Sequence, residues 1–239
     1  MSVTFEVVED PARACAALMV GAAIGGGEII LAGGSTPKAA YEHFVDAVRA
    51  VGLNLAGSRF WMGDERCVDS DDERSNYRMI KETLIDPLDG ITTVDVERMW
   101  GELGPDPAAD DYEQRLRAAG PPSFDLVLLG IGPDGHTASL FPGQPALAER
   151  TRSVVGVPEA GLEPFVPRVT LTIPARTSSQ RIVFLASGES KADAIAEAFG
   201  PDADPDPAVP ASLLVPDAKQ ITVLVDRAAA SRLDPQVRS

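Results

Sequence analysis

Asp125-Leu-Val-Leu-Leu-Gly130 and Arg181-Ile-Val-Phe-Leu-Ala186 are apolar at consecutive positions, not alternate ones, and that difference decides the fold. A strand with one wet face alternates with period two, whereas an unbroken apolar run of this length belongs to a strand covered on both faces, as in a largely parallel sheet. Working outward, Phe124 to Ile131 gives the first of these strands its full span. Val3 to Val8, Glu28 to Leu31, Arg59 to Met62 and Ile221 to Val225 read as further strands. Helical patterns lie between most of them, over Ala14 to Ile24, Lys38 to Val51 and Ala108 to Ala119. Asp106-Pro107 is expected to supply an N-cap and a first-turn proline for the last, and Gly120-Pro121-Pro122 to stop it. The expected class is therefore α/β: a mainly parallel twisted sheet with helices on both faces, forming a single domain over residues 1–239. Gly200 to Pro210 carries four prolines and reads as a loop within that domain.

Composition narrows the function. With 239 residues, 44% hydrophobic and 24% charged, the chain is that of a globular protein. A chain of this length buries roughly 70% of its unfolded surface, so it needs no disulfide staples. Cys15 and Cys67 show neither CxxC nor Cys/His zinc spacing, which suits a reducing, cytoplasmic setting and no metal. A formal charge of −15 without a Lys/Arg run argues against nucleic acid as a partner. Ala14 to Ile24 follows Glu6, Glu9 and Asp10, not a basic segment, and is too short to span a bilayer, so no membrane partner is expected either.

In open parallel sheets ligands bind beyond the carboxyl ends of the strands, which directs attention to the loops after them. Leu31-Ala-Gly-Gly-Ser-Thr-Pro-Lys38 offers backbone N–H groups at Gly33 and Gly34, hydroxyls and a cap at Ser35 and Thr36, and a helix start at Pro37: a phosphate cradle on a helix N-terminus. GxxxxGK[ST] is absent, which favours a phosphorylated small molecule over a nucleotide. A second loop, Gly63-Asp-Glu-Arg-Cys67, places Asp64 and Arg66 at a strand end, where a guanidinium can fork onto anionic oxygens. The third, Leu129 to Pro142, holds His136, one of only two histidines, between glycines and two residues from Asp134. An unperturbed imidazole titrates near ~6.5, which makes it the natural base at neutral pH. Asp134 can orient either the ring or a water. His43 falls inside a helix and reads as a surface or packing residue. A fourth loop, Ala186-Ser-Gly-Glu-Ser-Lys191, and Arg168 supply further candidate cations for an anion, which the sequence does not rank.

Several other chemistries fit less well. Gly130-x-Gly132-x-x-Gly135 matches a dinucleotide fingerprint, but Pro142 and Pro145 interrupt the long helix that the motif should open, so no nicotinamide cofactor is expected. Ser35-Thr-Pro-Lys38 matches SxxK without its SDN and KTG companions, and GxSxG is absent. The acidic run Asp69 to Glu73 lacks EF-hand spacing.

Leu31-Ala-Gly-Gly-Ser-Thr-Pro, Gly63-Asp-Glu-Arg, Ser75-Asn-Tyr, Gly130-Ile-Gly-Pro-Asp-Gly-His-Thr-Ala-Ser-Leu-Phe-Pro142 and Arg168-Val-Thr-Leu-Thr together resemble the 6-phosphogluconolactonases. The resemblance extends along nearly the whole chain. It implies a modified Rossmann fold of the sugar-phosphate isomerase type. It also implies metal-free hydrolysis of a sugar-phosphate lactone in the oxidative pentose phosphate pathway; no cofactor is expected, and a monomer or weak homo-oligomer is the expected state. The related glucosamine-6-phosphate deaminases share the cradle and the Asp-Gly-His loop, but carry a catalytic glutamate where this chain has Phe141 and a tyrosine where it has Arg66. Deamination and non-catalytic sugar-phosphate binding are the alternatives. For lactone hydrolysis the expected roles are His136 as base, Arg66 and loop N–H groups at the oxyanion, and Gly34, Ser35, Thr36 with one or both of Arg168 and Lys191 at the phosphate.

Overall fold

Every strand expected from the apolar runs is present, and their order across the sheet singles out one crevice. The computed structural model describes residues 3–120 and 123–234; Pro121 and Pro122, invoked above as a helix stop, lie outside the described residues. Seven strands form one all-parallel sheet: β1 (Val3–Val7), β2 (Glu28–Leu31), β3 (Arg59–Met62), β5 (Asp95–Glu97), β6 (Leu126–Leu129), β9 (Arg181–Ala186) and β10 (Ile221–Val225). Their order is β1-β10-β9-β6-β2-β3-β5. All residues of β6 and β10 are buried, as their unbroken apolar runs require, whereas edge strand β1 alternates between half-buried and exposed. From β2 the chain builds outward through β3 to β5, then returns to the other side of β2 and continues through β6, β9 and β10. The loops after β2 and β6 therefore leave the sheet in opposite directions, and the gap between them is the topological switch point where such sheets bind ligands.

Helices α1 (Pro11–Ile24), α2 (Ser35–Val51), α3 (Asn76–Ile80), α4 (Asp86–Leu88), α5 (Pro105–Ala119), α6 (Ile173–Thr177) and α7 (Ala192–Phe199) cover the faces. The Asp10 carboxylate accepts the Arg13 N–H at 2.9 Å and caps α1. Helix α5 departs from expectation at its start: Gly104, at φ 87°, occupies the cap and Pro105 the first helical position. Asp106 thus lies inside the first turn, because the proline that best fits the helix start precedes it.

A second, antiparallel sheet was not expected. It consists of β4 (Asp64–Arg66), β8 (Arg168–Leu171) and β7 (Val154–Val157), in the order β4-β8-β7. Asp64 to Arg66, read above as a loop, is thus a strand. Two buried side chains fasten this sheet to the rest. The Glu113 carboxylate of α5 accepts the N–H groups of Ser153 and Val154 at 2.8 and 2.7 Å. Arg176 of α6, wholly buried, donates to the carbonyls of Gly63 (2.8 Å) and Leu171 and to the Thr170 hydroxyl. Burial lowers the Arg176 pKa to about 10, so it remains a cation at neutral pH.

Candidate active site

The cleft at the switch point has a volume of about 270 Å³. That lies at the small end of ligand pockets and suits one small metabolite better than a dinucleotide. The loops after β2, β3, β6 and β9 all reach it, and Gly33, Gly34, Ser35, Thr36, Asp64, Arg66, His136, Arg168 and Lys191 line it. Asp134 holds the ring of His136 from one side of this wall.

The cradle is built of backbone. Helix α2 starts at Ser35 with Gly34 at its cap (φ 108°) and no capping side chain. Ser35 and Thr36 are thus the first residues of the helix, and neither supplies the cap expected of them. Their N–H groups precede the first helical hydrogen bond, from Lys38 N–H to the Gly34 carbonyl at 3.0 Å. Pro37 has none to offer. Such a helix end, with open amides and the positive pole of the dipole, favours an anion. Gly33 must be glycine for a steric reason: a β-carbon there would lie 2.2 Å from Asn76 Oδ1.

Three cations, Arg66, Arg168 and Lys191, line the same cleft as the cradle. The β4–β8 register sets Arg66 directly across from Arg168. Like charges so placed destabilise a sheet unless an anion lies between them. Among the described residues, neither arginine nor Lys191 has a carboxylate within 4.0 Å, in a chain of net charge −15. Arg168 is committed to the neighbouring loop: its Nε donates to Val166 O (3.1 Å) and its Nη2 to Pro164 O (2.8 Å). Lys191 makes no such bond among the described residues. Burial lowers the Lys191 pKa, an effect partly offset by Asp134. The turn before it is held by Asp226, which accepts from the Ser187 hydroxyl and the Gly188 N–H. Asp64 is buried, with Oδ2 accepting from Ser139 Oγ at 2.7 Å and Oδ1 from Asn76 Nδ2 at 3.3 Å.

His136 is oriented on one nitrogen, and among the described residues no hydrogen-bond partner meets the other. Nδ1 lies 2.5 Å from Asp134 Oδ1, which also accepts the His136 backbone N–H at 3.2 Å. Asp134 therefore orients the ring, the alternative that the sequence left open. Burial alone would raise the Asp134 pKa, but the hydrogen bonds from His136 outweigh it and hold the carboxyl below its usual range. An acceptor at Nδ1 fixes the tautomer that leaves Nε2 free to take a proton. The Phe141 ring packs against the imidazole with centroids 4.9 Å apart, and the Arg168 guanidinium lies 5.9 Å from the centre of the same ring. His43 lies on α2, its Nε2 3.4 Å from Asp10 Oδ2, as befits a surface residue.

Residues 4–223 match the family model described as glucosamine-6-phosphate isomerases/6-phosphogluconolactonase. The chain belongs to this family. It is 38% identical over 218 residues to the 6-phosphogluconolactonase of Synechocystis, covering 88% of this chain and 86% of that one. To the human 6-phosphogluconolactonase it is 36% identical over 208 residues, covering 85% and 79%. Among solved structures, the 6-phosphogluconolactonase of Trypanosoma brucei superposes with a TM-score of 0.79 at 29% identity over 98% of this chain and 99% of that one. A monomeric glucosamine-6-phosphate deaminase superposes at 0.77 with 25% identity, over 97% and 100%. The fold thus serves both chemistries, and only the site can separate them. No helix among the described residues is long and apolar enough to cross a membrane.

Two site residues were not singled out from the sequence. Asn76 reaches the pocket because glycine at 33 lets it approach, and Phe141 was noted as a missing glutamate but not as the surface against which His136 rests. Ser75-Asn76 was the available signal: Ser75 Oγ accepts the Arg78 N–H and starts α3, which aims Asn76 back at Asp64.

Proposed function

We propose that this chain hydrolyses 6-phospho-D-glucono-1,5-lactone to 6-phospho-D-gluconate, with His136 as base. The observation that carries the reading is the imidazole itself: held at Nδ1 by a carboxylate, open at Nε2, and in the same cleft as three cations without carboxylate partners. A δ-lactone is an activated ester, so water can attack its carbonyl without a covalent nucleophile. Nε2 takes the proton of that water as the new C–O bond forms, and the Asp134 carboxylate stabilises the imidazolium. Arg66 stabilises the oxyanion of the tetrahedral intermediate. As the bond to the ring oxygen breaks, Nε2 returns its proton to that oxygen, and the acid formed ionises in solvent. The phosphate sits on Gly34, Ser35 and Thr36 with Lys191, which fixes the carbonyl against the water through a remote group. Asp64, placed between Ser139 and Asn76, accepts from sugar hydroxyls. The enzyme works in the cytoplasm, as a monomer or weak homo-oligomer, with neither metal nor cofactor.

A side-by-side assay tests this reading. Purified protein should open 6-phosphogluconolactone well above its spontaneous rate and should not release ammonia from glucosamine 6-phosphate. His136→Ala should lower turnover by about 10²- to 10⁴-fold while leaving the heat-unfolding midpoint nearly in place. Turnover close to wild type in that variant removes His136 from the role of base.

A further inference from the structure

Two buried tyrosines stand where strands β2 and β3 end, and each satisfies backbone groups that a neighbouring strand no longer reaches. The Leu31 carbonyl of β2 accepts from Gly63 N–H at 2.9 Å, so it faces β3. By the alternation of an extended chain, the N–H and carbonyl of the next residue, Ala32, face β6. Pairing between β2 and β6 has already stopped at Ile30 and Val127, and the cleft begins there. Ala32 is buried, so both of its backbone groups need a partner. The Tyr41 hydroxyl of α2 supplies both: it accepts the Ala32 N–H at 2.8 Å and donates to the Ala32 carbonyl at 2.7 Å.

The end of β3 repeats the arrangement. Gly63 N–H points toward β2, so the N–H and carbonyl of Met62 face β5, whose pairing stops at Trp61 and Glu97. The Tyr112 hydroxyl of α5 accepts the Met62 N–H at 2.8 Å and lies 3.1 Å from the Glu97 carbonyl and 3.2 Å from that of Met62. Both rings are fully buried, and burial raises both hydroxyl pKa values, so each keeps the proton it donates.

We propose that Tyr41 and Tyr112 are positioning residues for the active site: their hydroxyls stand in for the missing strand neighbours at Ala32 and Met62. Tyr41 thereby fixes the path of Gly33–Thr36, and Tyr112 that of Gly63–Arg66. The two loops have different jobs, so loss of each hydroxyl should have a different kinetic signature. Tyr41 governs grip on the anion, and Tyr112 governs placement of Arg66 at the reacting carbonyl. The kinetic half of this inference rests on the lactonase reading; the binding half does not.

The test uses Tyr41→Phe and Tyr112→Phe, which remove one oxygen each, with steady-state kinetics, calorimetric binding of 6-phosphogluconate and heat unfolding. A loop released from its hydroxyl and shifted by less than the ~1 Å that costs about 10²-fold should show an effect of about 5- to 20-fold. Tyr41→Phe should raise KM and the 6-phosphogluconate Kd together by that factor with kcat within about twofold. Tyr112→Phe should lower kcat by a similar factor with Kd within about twofold. Lower melting points with unchanged kinetics and binding, or the same pattern in both variants, would overturn the proposal. A wild type that binds 6-phosphogluconate without opening the lactone would sink the lactonase reading and leave the Tyr41 binding test intact. Should either variant not fold, amide exchange in the wild type decides: Ala32 and Met62 should be protected like the central strands, and rapid exchange at either refutes its clamp.

Discussion

Gly132→Ala would put one methyl group where the His136–Asp134 pair now stands. A β-carbon on residue 132 would lie 2.0 Å from His136 Nδ1, 2.1 Å from its Cε1 and 2.6 Å from Asp134 Oδ1. Ordinary contact begins near 3.4 Å, so the imidazole must retreat by about 1.4 Å (3.4 − 2.0) and the carboxylate by about 0.8 Å (3.4 − 2.6). Phe141 already packs on the ring, with centroids 4.9 Å apart, which limits the directions open to it, and Nε2 must shift with the ring. Misplacing a reacting group by about 1 Å costs on the order of 10²-fold, so kcat is expected to fall by about that factor. KM should change by less than about threefold, because the cradle and Lys191 sit on other loops and bind the non-reacting end. Stability should change little, by about 1 kcal/mol: residue 132 is not among the left-handed glycines, and the obstructing atoms are side-chain ends. Initial rates of lactone opening, corrected for the spontaneous reaction, and a heat-unfolding curve make the comparison. Gly21→Ala is the control, since its β-carbon meets nothing within 4 Å on the exposed side of α1; it should keep full kcat and gain about 0.5–1 kcal/mol of stability. A folded Gly132→Ala enzyme turning over like wild type would refute the placement of the base.

Three further outcomes are expected. Asp134→Asn keeps the side-chain shape but removes the charge that stabilises the imidazolium, and should lower kcat by about 10- to 100-fold with KM little changed; full turnover would reduce Asp134 to a structural role. Lys191→Met should raise KM by about tenfold with kcat nearly constant, while Arg66→Met should lower kcat by about 10²-fold, and a swap of these signatures would exchange the two cations' assignments. Glu149 accepts from the N–H of Arg152 and from the hydroxyl and N–H of Thr151, which lowers its pKa from 4.5 to about 2. A carboxyl depressed in the fold stabilises it above the unfolded pKa and loses that contribution as pH falls through the folded value. The stability difference between wild type and Glu149→Gln should therefore shrink as pH drops from about 4.5 to about 2, measured by urea unfolding; a constant difference would show that these bonds do not persist in solution.

The parts of the fold that were legible are those whose burial is written into a single segment. Leu126–Leu129 and residues 182–186 read as doubly covered strands because every one of these residues is apolar and must avoid water, whatever lies around them. The antiparallel sheet was not legible because its strands are short, three or four residues each, and its first, β4, has no local strand signal at all. Asp64-Glu65-Arg66 is charged at every position, and it is extended only because β8, about a hundred residues later, pairs with it. The candidate site divides the same way. Glycines around His136 and at 33–34 announce close approach from sequence alone. The opposition of Arg66 to Arg168 and the seat of Asn76 depend on register between distant segments, and no spacing rule reports that.

What separates the two chemistries that this fold supports is the number of groups able to exchange protons with the reacting carbons. Moving a proton between adjacent carbons of a sugar while expelling an amine needs a second acid or base placed near the first. Here the position that could hold one is filled by Phe141, whose ring is buried and rests on the imidazole. Of the carboxylates that line the cleft, Asp64 is already bonded to Ser139 and Asn76, and Glu163 belongs to the loop whose carbonyls Arg168 grips. The base held in place by a hydrogen bond is the imidazole, in a cleft that it shares with three cations. Such a set can activate water and neutralise an oxyanion; the carboxylate beside the imidazole, Asp134, is taken up at Nδ1, and Phe141 stands where a second base would serve an aldose–ketose step, so hydrolysis of an already activated carbonyl is the reaction its chemistry matches.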